Sequence, residues 1–127
     1  MTAGRRFKVL VVDDEPFIVR SLSFVLRKDD YEVFEARNGE EGLQAIRTHK
    51  PDLVFLDVMM PRINGFDVTR TVREDRGLDA VRIVLLTAKG QDGDKEKGLG
   101  AGANDYMTKP FSPTKILECA RRVLGGG

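Results

Sequence analysis

Five side chains in this sequence are of the types that metal and phosphoryl chemistry needs: Asp13 and Asp14 side by side, then Asp57, Thr87 and Lys109. Brought together, the three carboxylates repel one another. Each pair costs about 3 kcal/mol at roughly 5 Å and an effective dielectric near 20. Lys109 offsets one charge of the three, and a dication would offset the rest. Oxygen donors alone select a hard cation, Mg²⁺ or Mn²⁺, and Mg²⁺ keeps several waters that a phosphate can replace. A carboxylate between such a cation and an ammonium is placed to take a phosphoryl group, because both cations offset charge on the transferring oxygens. A hydroxyl such as that of Thr87 can hydrogen-bond the arriving group. Taken singly, the same residues have plainer roles. Asp13 or Asp14 could cap a helix before Pro16. Asp57 could be a turn residue, Thr87 a β-branched strand residue, and Lys109-Pro110 a turn beside a solvated charge. The set is far more specific than its members.

The elements that would position this set are legible in the apolar pattern. Phe7–Val12, Leu53–Leu56 and Val81–Leu86, with a weaker Tyr31–Ala36, are nearly continuous runs rich in Val, Leu and Ile. Strands buried on both faces of a parallel sheet read this way. Between them lie helical stripes. Ile18, Leu22, Val25 and Leu26 share one face. Asn38 with Glu41 three positions on is an N-cap with a capping-box partner, opening a helix through Leu43 and Ile46. Asn64-Gly65 opens another, carrying Phe66, Val68 and Val72. Ser112-Pro113 caps the last, with Ile116, Ala120, Val123 and Leu124 on one face. The fourth helix, around Gln91–Ala103, holds four glycines, each costing about 1 kcal/mol relative to alanine, so it is expected to be short or frayed. The order βαβαβαβαβα indicates an α/β fold with a parallel sheet and right-handed crossovers. Ligands of such sheets bind beyond the carboxyl ends of the strands. Those ends are where Asp13-Asp14, Asp57, Thr87 and Lys109 stand.

Composition sets the bounds. A chain of 127 residues suits one domain, with 41% hydrophobic and 32% charged residues, globular rather than disordered. The longest apolar run is four residues, against about 20 for a membrane helix, so no membrane insertion is expected. No signal peptide is visible, since Arg5-Arg6 precede a run that ends in Asp13-Asp14-Glu15. The lone Cys119 can form neither an intramolecular disulfide nor a zinc site by itself. A cytoplasmic location follows as the default. A net charge of +1 offers no footprint for direct nucleic-acid binding, and Arg5, Arg6 and Lys8 are too few to change that.

These motifs resemble the receiver domain of two-component response regulators. They are Val11-Val12-Asp13-Asp14-Glu15, Leu56-Asp57-Val58-Met59-Met60-Pro61 with Asn64-Gly65, Leu86-Thr87-Ala88, Gly102-Ala103-Asn104-Asp105-Tyr106 and Thr108-Lys109-Pro110-Phe111. The resemblance implies one receiver domain over residues 1–127, with a core from about 7 to 124. It implies a flavodoxin-like (βα)5 sandwich with strand order 2-1-3-4-5. Asp57 would be the phosphoacceptor, attacking a phosphohistidine of a sensor histidine kinase or phosphotransfer protein. Asp14, Asp57 and the backbone carbonyl of Met59 would bind Mg²⁺, with Asp13 acting through water. Lys109 would pair with the phosphoryl group, and Thr87 would swing toward it and let Tyr106 rotate inward. The Lys109-Pro110 bond would be cis. The output surface, for a downstream protein target, would be the fourth helix, fifth strand and fifth helix. The chain would be a monomer in a family that allows dimerisation on phosphorylation. Gly98 and Gly100 depart from the family, which more often has helix formers there, and put the stability of that surface in question. Met59 and Lys89, two positions after Asp57 and Thr87, sit where the family tunes hydrolysis of the acyl phosphate, and Met59 is expected to slow it by shielding.

Other readings are weaker on the same residues. Aspartate-nucleophile phosphatases usually carry a second Asp two positions after the nucleophile, where Met59 stands here. A receiver-like module working without phosphate usually lacks one of the acidic, Thr or Lys residues, and all are present. Nothing marks a flavin site. Gly98-Leu99-Gly100-Ala101-Gly102 neither follows the first strand nor opens a helix there, so it is no dinucleotide loop, and no P-loop pattern occurs. His49 reads as a solvated loop residue and Cys119 as core or half-buried. A phosphoacceptor of this kind is not an enzyme with turnover.

Overall fold

A computed structural model describes residues 6–88 and 93–125. Five parallel strands form one sheet: β1 (Lys8–Val12), β2 (Glu32–Ala36), β3 (Leu53–Asp57), β4 (Arg82–Thr87) and β5 (Asp105–Thr108), in the order β2-β1-β3-β4-β5. The helices are α1 (Pro16–Lys28), α2 (Gly39–His49), α3 (Gly65–Glu74), α4 (Gly93–Ala101) and α5 (Pro113–Leu124), with a 3-10 turn at Arg76–Leu78 that the pattern did not foretell. The chain therefore adopts the flavodoxin-like sandwich expected of it.

Side-chain alternation splits the core in two. Leu10, Val12, Val54, Leu56, Ile83 and Leu85 face one layer, which holds Ile46 of α2 and Phe66, Val68 and Val72 of α3. Val9, Val11, Leu53, Phe55, Val84 and Leu86 face the other, filled by Leu22 and Leu26 of α1 and Ile116, Cys119 and Ala120 of α5. Every one of these strand residues is fully buried, which is why their runs are continuous rather than alternating. Burial also pushes the Cys119 thiol up to about 11.

The caps fall where the polar residues placed them. Asn38 accepts from Glu41 N at 2.8 Å, while Glu41 reaches Arg37 N at 3.0 Å rather than the cap's own N–H. Asn64 and Asp67 form a reciprocal capping box at α3. Ser112 caps α5. One plainer alternative falls and one expectation changes. Neither Asp13 nor Asp14 caps α1: its N-cap is Glu15, which makes no side-chain cap bond, and Asp13 is buried. His49 is not a solvated loop residue: it ends α2, and its ring stacks on Phe34 at 4.0 Å. The fourth helix is short, as its glycines led one to expect, and ends at Ala101. Lys89, Gln91 and the terminal Gly126-Gly127 lie outside the described residues.

Candidate functional site

Register brings the acidic strand ends together. Val12 of β1 lies beside Leu56 of β3, so Asp13 and Asp57 follow side by side. Carboxylate oxygens of Asp13, Asp14 and Asp57 all lie within 4.8 Å of one another. Asp13 and Asp57 are buried, and Asp14 is exposed at the rim. Gly65 lets α3 begin against this edge, since a Cβ there would lie 2.6 Å from the carbonyl oxygen of Asp57.

Lys109 arrives from the far side of the sheet. Thr87 of β4 is in register with Thr108 of β5, and Lys109 N donates to Thr87 O at 2.7 Å. The Lys109-Pro110 bond is cis. The Lys109 ammonium sits 3.1 Å from Asp13 Oδ2, 3.3 Å from Glu15 Oε1 and 3.4 Å from Asp57 Oδ1. Thr87 is buried with its hydroxyl at the same edge, and its Oγ1 donates to Met107 O at 3.4 Å. Tyr106 is registered with Leu85, two positions before Thr87, so alternation puts Tyr106, Leu85 and Thr87 on one face of the sheet. The Tyr106 ring lies beneath Lys95 Nζ of α4, 5.4 Å from its centroid. Met59 follows the strand end directly: its N–H donates to Asp57 Oδ1 at 3.3 Å and its side chain stands exposed.

The charges respond to this crowding. Burial lifts the Asp57 carboxyl, and the neighbouring Asp13 charge lifts it further, to about 7, against the pull of Lys109 and the Met59 N–H. Asp13 is raised as well, first by burial. Burial alone would lower Lys109, but the close Asp13 carboxylate and the charge of Asp57 outweigh it and hold the ammonium protonated. The donor set suits a hard divalent cation: oxygen atoms only, more negative than one lysine can balance. Asp13 Oδ2 is buried and, although ion-paired to Lys109, receives no well-directed hydrogen bond. A hydrated cation would give it a partner.

All the residues singled out in the sequence for metal and phosphoryl chemistry thus stand at one edge. Glu15 was not singled out, although it is the third ligand of Lys109. Its signal was the acidic run Asp13-Asp14-Glu15 directly after β1, in which only the first two members had been given work.

The model of the response regulator receiver domain matches residues 9–121. The chain belongs to that family. Among relatives of this receiver, the alkaline phosphatase synthesis transcriptional regulatory protein PhoP of Bacillus subtilis is 44% identical over 117 residues, 92% of this chain and 48% of PhoP. Protein PilH of Pseudomonas aeruginosa is 38% identical over 119 residues, 94% of this chain and 98% of PilH. The receiver thus spans about half the length of PhoP and nearly all of PilH. A high-resolution structure of the chemotaxis response regulator CheY4 of Vibrio cholerae superposes with a TM-score of 0.88 at 33% identity, covering 94% of this chain and 99% of that one. No helix among the described residues is long and apolar enough to cross a membrane.

Proposed function

We propose that this receiver takes a phosphoryl group onto Asp57 from a phosphohistidine of a sensor histidine kinase or phosphotransfer protein. An Asp57 carboxylate oxygen attacks phosphorus, the phosphorus–nitrogen bond breaks, and the imidazole leaves with the electron pair and gains a proton. Asp13, Asp14 and Asp57, with the Met59 carbonyl, would hold Mg²⁺ or Mn²⁺. When bound, the cation supplies positive charge that offsets repulsion among the carboxylates and on the transferring oxygens. Lys109 pairs with the phosphoryl group, and Thr87 turns to hydrogen-bond it. The added charge, about −1.5 to −2, biases Thr87 and Tyr106 toward a second arrangement, and the surface of α4, β5 and α5 reads out the change to a downstream protein. Asp57 acts as a stoichiometric acceptor rather than a turnover catalyst, in a chain at work in the cytoplasm.

The observation that carries this reading is the meeting of three carboxylates within 4.8 Å with the Lys109 ammonium 3.4 Å from Asp57. Incubation with acetyl phosphate and Mg²⁺ tests it. The wild type gains one phosphoryl group by intact-protein mass, and Asp57→Asn gains none; uptake by Asp57→Asn would remove the assignment.

A further inference from the structure

Lys109 has three ammonium protons, and three carboxylates surround them. Asp13 Oδ2 at 3.1 Å and Asp57 Oδ1 at 3.4 Å belong to the acidic cluster, whereas Glu15 Oε1 at 3.3 Å does not. The partners also differ in burial. The Asp13 and Asp57 side chains are 0% and 5% exposed, the Glu15 side chain 61%. Glu15 is held in place by its backbone, whose N–H donates to Asp13 Oδ1 at 2.9 Å. As the N-cap of α1 it leaves its side chain out of the helix and sends it across 94 positions to the lysine.

A phosphoryl oxygen arriving on Asp57 needs a donor from Lys109, so one carboxylate has to give way. Asp57 carries the phosphoryl group itself, and losing the buried Asp13 leaves a charge unpaired away from water, which is expensive. Losing the exposed one returns it to solvent, where such a pair is worth only about 1.5- to 5-fold in an equilibrium constant. We propose that Glu15 is a positioning residue that occupies the Lys109 ammonium in the resting protein and is displaced by the phosphoryl group. It holds the lysine at the pocket mouth, ordered and neutralised, at the cost of weakening every anion that must take its place. The proposal rests on the phosphoacceptor reading of Asp57 and adds to it a residue outside the metal and acceptor set.

Beryllofluoride, which occupies the place of a phosphoryl group on a carboxylate, reports the displacement without turnover. The wild type, Glu15→Gln and Glu15→Asp are titrated with it at saturating Mg²⁺, with binding followed by backbone amide shifts. Thermal unfolding of each in chelator verifies that both variants fold, as an exposed position allows. Glu15→Gln binds about 1.5- to 5-fold more tightly than the wild type. Glu15→Asp keeps the charge, but its shorter side chain turns back to cap α1 and loses the lysine, so it tightens binding too. Unchanged or weaker binding by Glu15→Gln overturns the proposal. So does a Glu15→Asp variant that behaves as wild type while Glu15→Gln tightens, since charge at the mouth rather than contact with Lys109 would then be responsible. A wild type that ignores beryllofluoride with Mg²⁺ defeats the phosphoacceptor reading itself, and this inference with it.

Discussion

Lys109 Nζ stands 3.4 Å from Oδ1 of Asp57, two residues 52 positions apart that meet because β3 and β5 both end at the same edge, on either side of β4. The contact makes Asp57 a carboxylate with a cation already beside it, yet one still lifted to about 7 by burial and by Asp13. Its proton, any metal and any phosphoryl group therefore compete for one small space.

That competition has a sign. Between the ordinary carboxylate value of 3.8 and about 7, folded Asp57 keeps a proton that the unfolded chain has lost. A raised carboxylate of this kind makes metal-free stability fall as pH rises through that window. A cation that binds only the ionised form restores it and releases a proton. Urea midpoints in chelator are expected to be higher near pH 5.5 than near pH 8, with Mg²⁺ recovering stability chiefly at the higher pH. Equal Mg²⁺ affinity at the two values would contradict this.

The glycines of α4 separate under substitution. A Cβ at Gly98 would lie 2.4 Å from Cδ1 of the buried Leu85, whereas one at Gly100 meets nothing within 4 Å. Gly98→Ala is expected to destabilise by about 1–3 kcal/mol through overpacking, less the helix propensity it recovers. Gly100→Ala is expected to stabilise by about 0.5–1 kcal/mol. Denaturant midpoints measure both, and the same sign for the two would refute the packing account.

Met59 stands exposed beside the acceptor, with its backbone N–H on Asp57 Oδ1. An apolar side chain there holds no water for attack on an acyl phosphate. Met59→Asn, which can hydrogen-bond one, is expected to lose its phosphoryl group several-fold faster in a phosphate-release assay. Slower loss from the variant would reject a shielding role.

Much of this architecture was legible in the residues. Fully buried strands wrote themselves as unbroken Val, Leu and Ile runs, and the caps at Asn38, Asn64 and Ser112 as polar residues at fixed offsets. The strand ends named the carboxylates, hydroxyl and ammonium, and the topology brings those same groups to one edge. What escaped was set by contacts between distant segments. Gly98 read as a weakness in α4, but Leu85 leaves no room for a side chain there. Glu15 read as one more acid in a run, because its partner is 94 positions away. His49 read as solvated because nothing local announces the ring of Phe34.

The most direct test of the central claim is to locate the modification. After acetyl phosphate and Mg²⁺, borohydride reduction converts an aspartyl phosphate to homoserine, which peptide mass spectrometry places. The account predicts one converted residue, Asp57, and none when chelator replaces Mg²⁺. Conversion at another aspartate, or at Asp57 with the metal withheld, would contradict it.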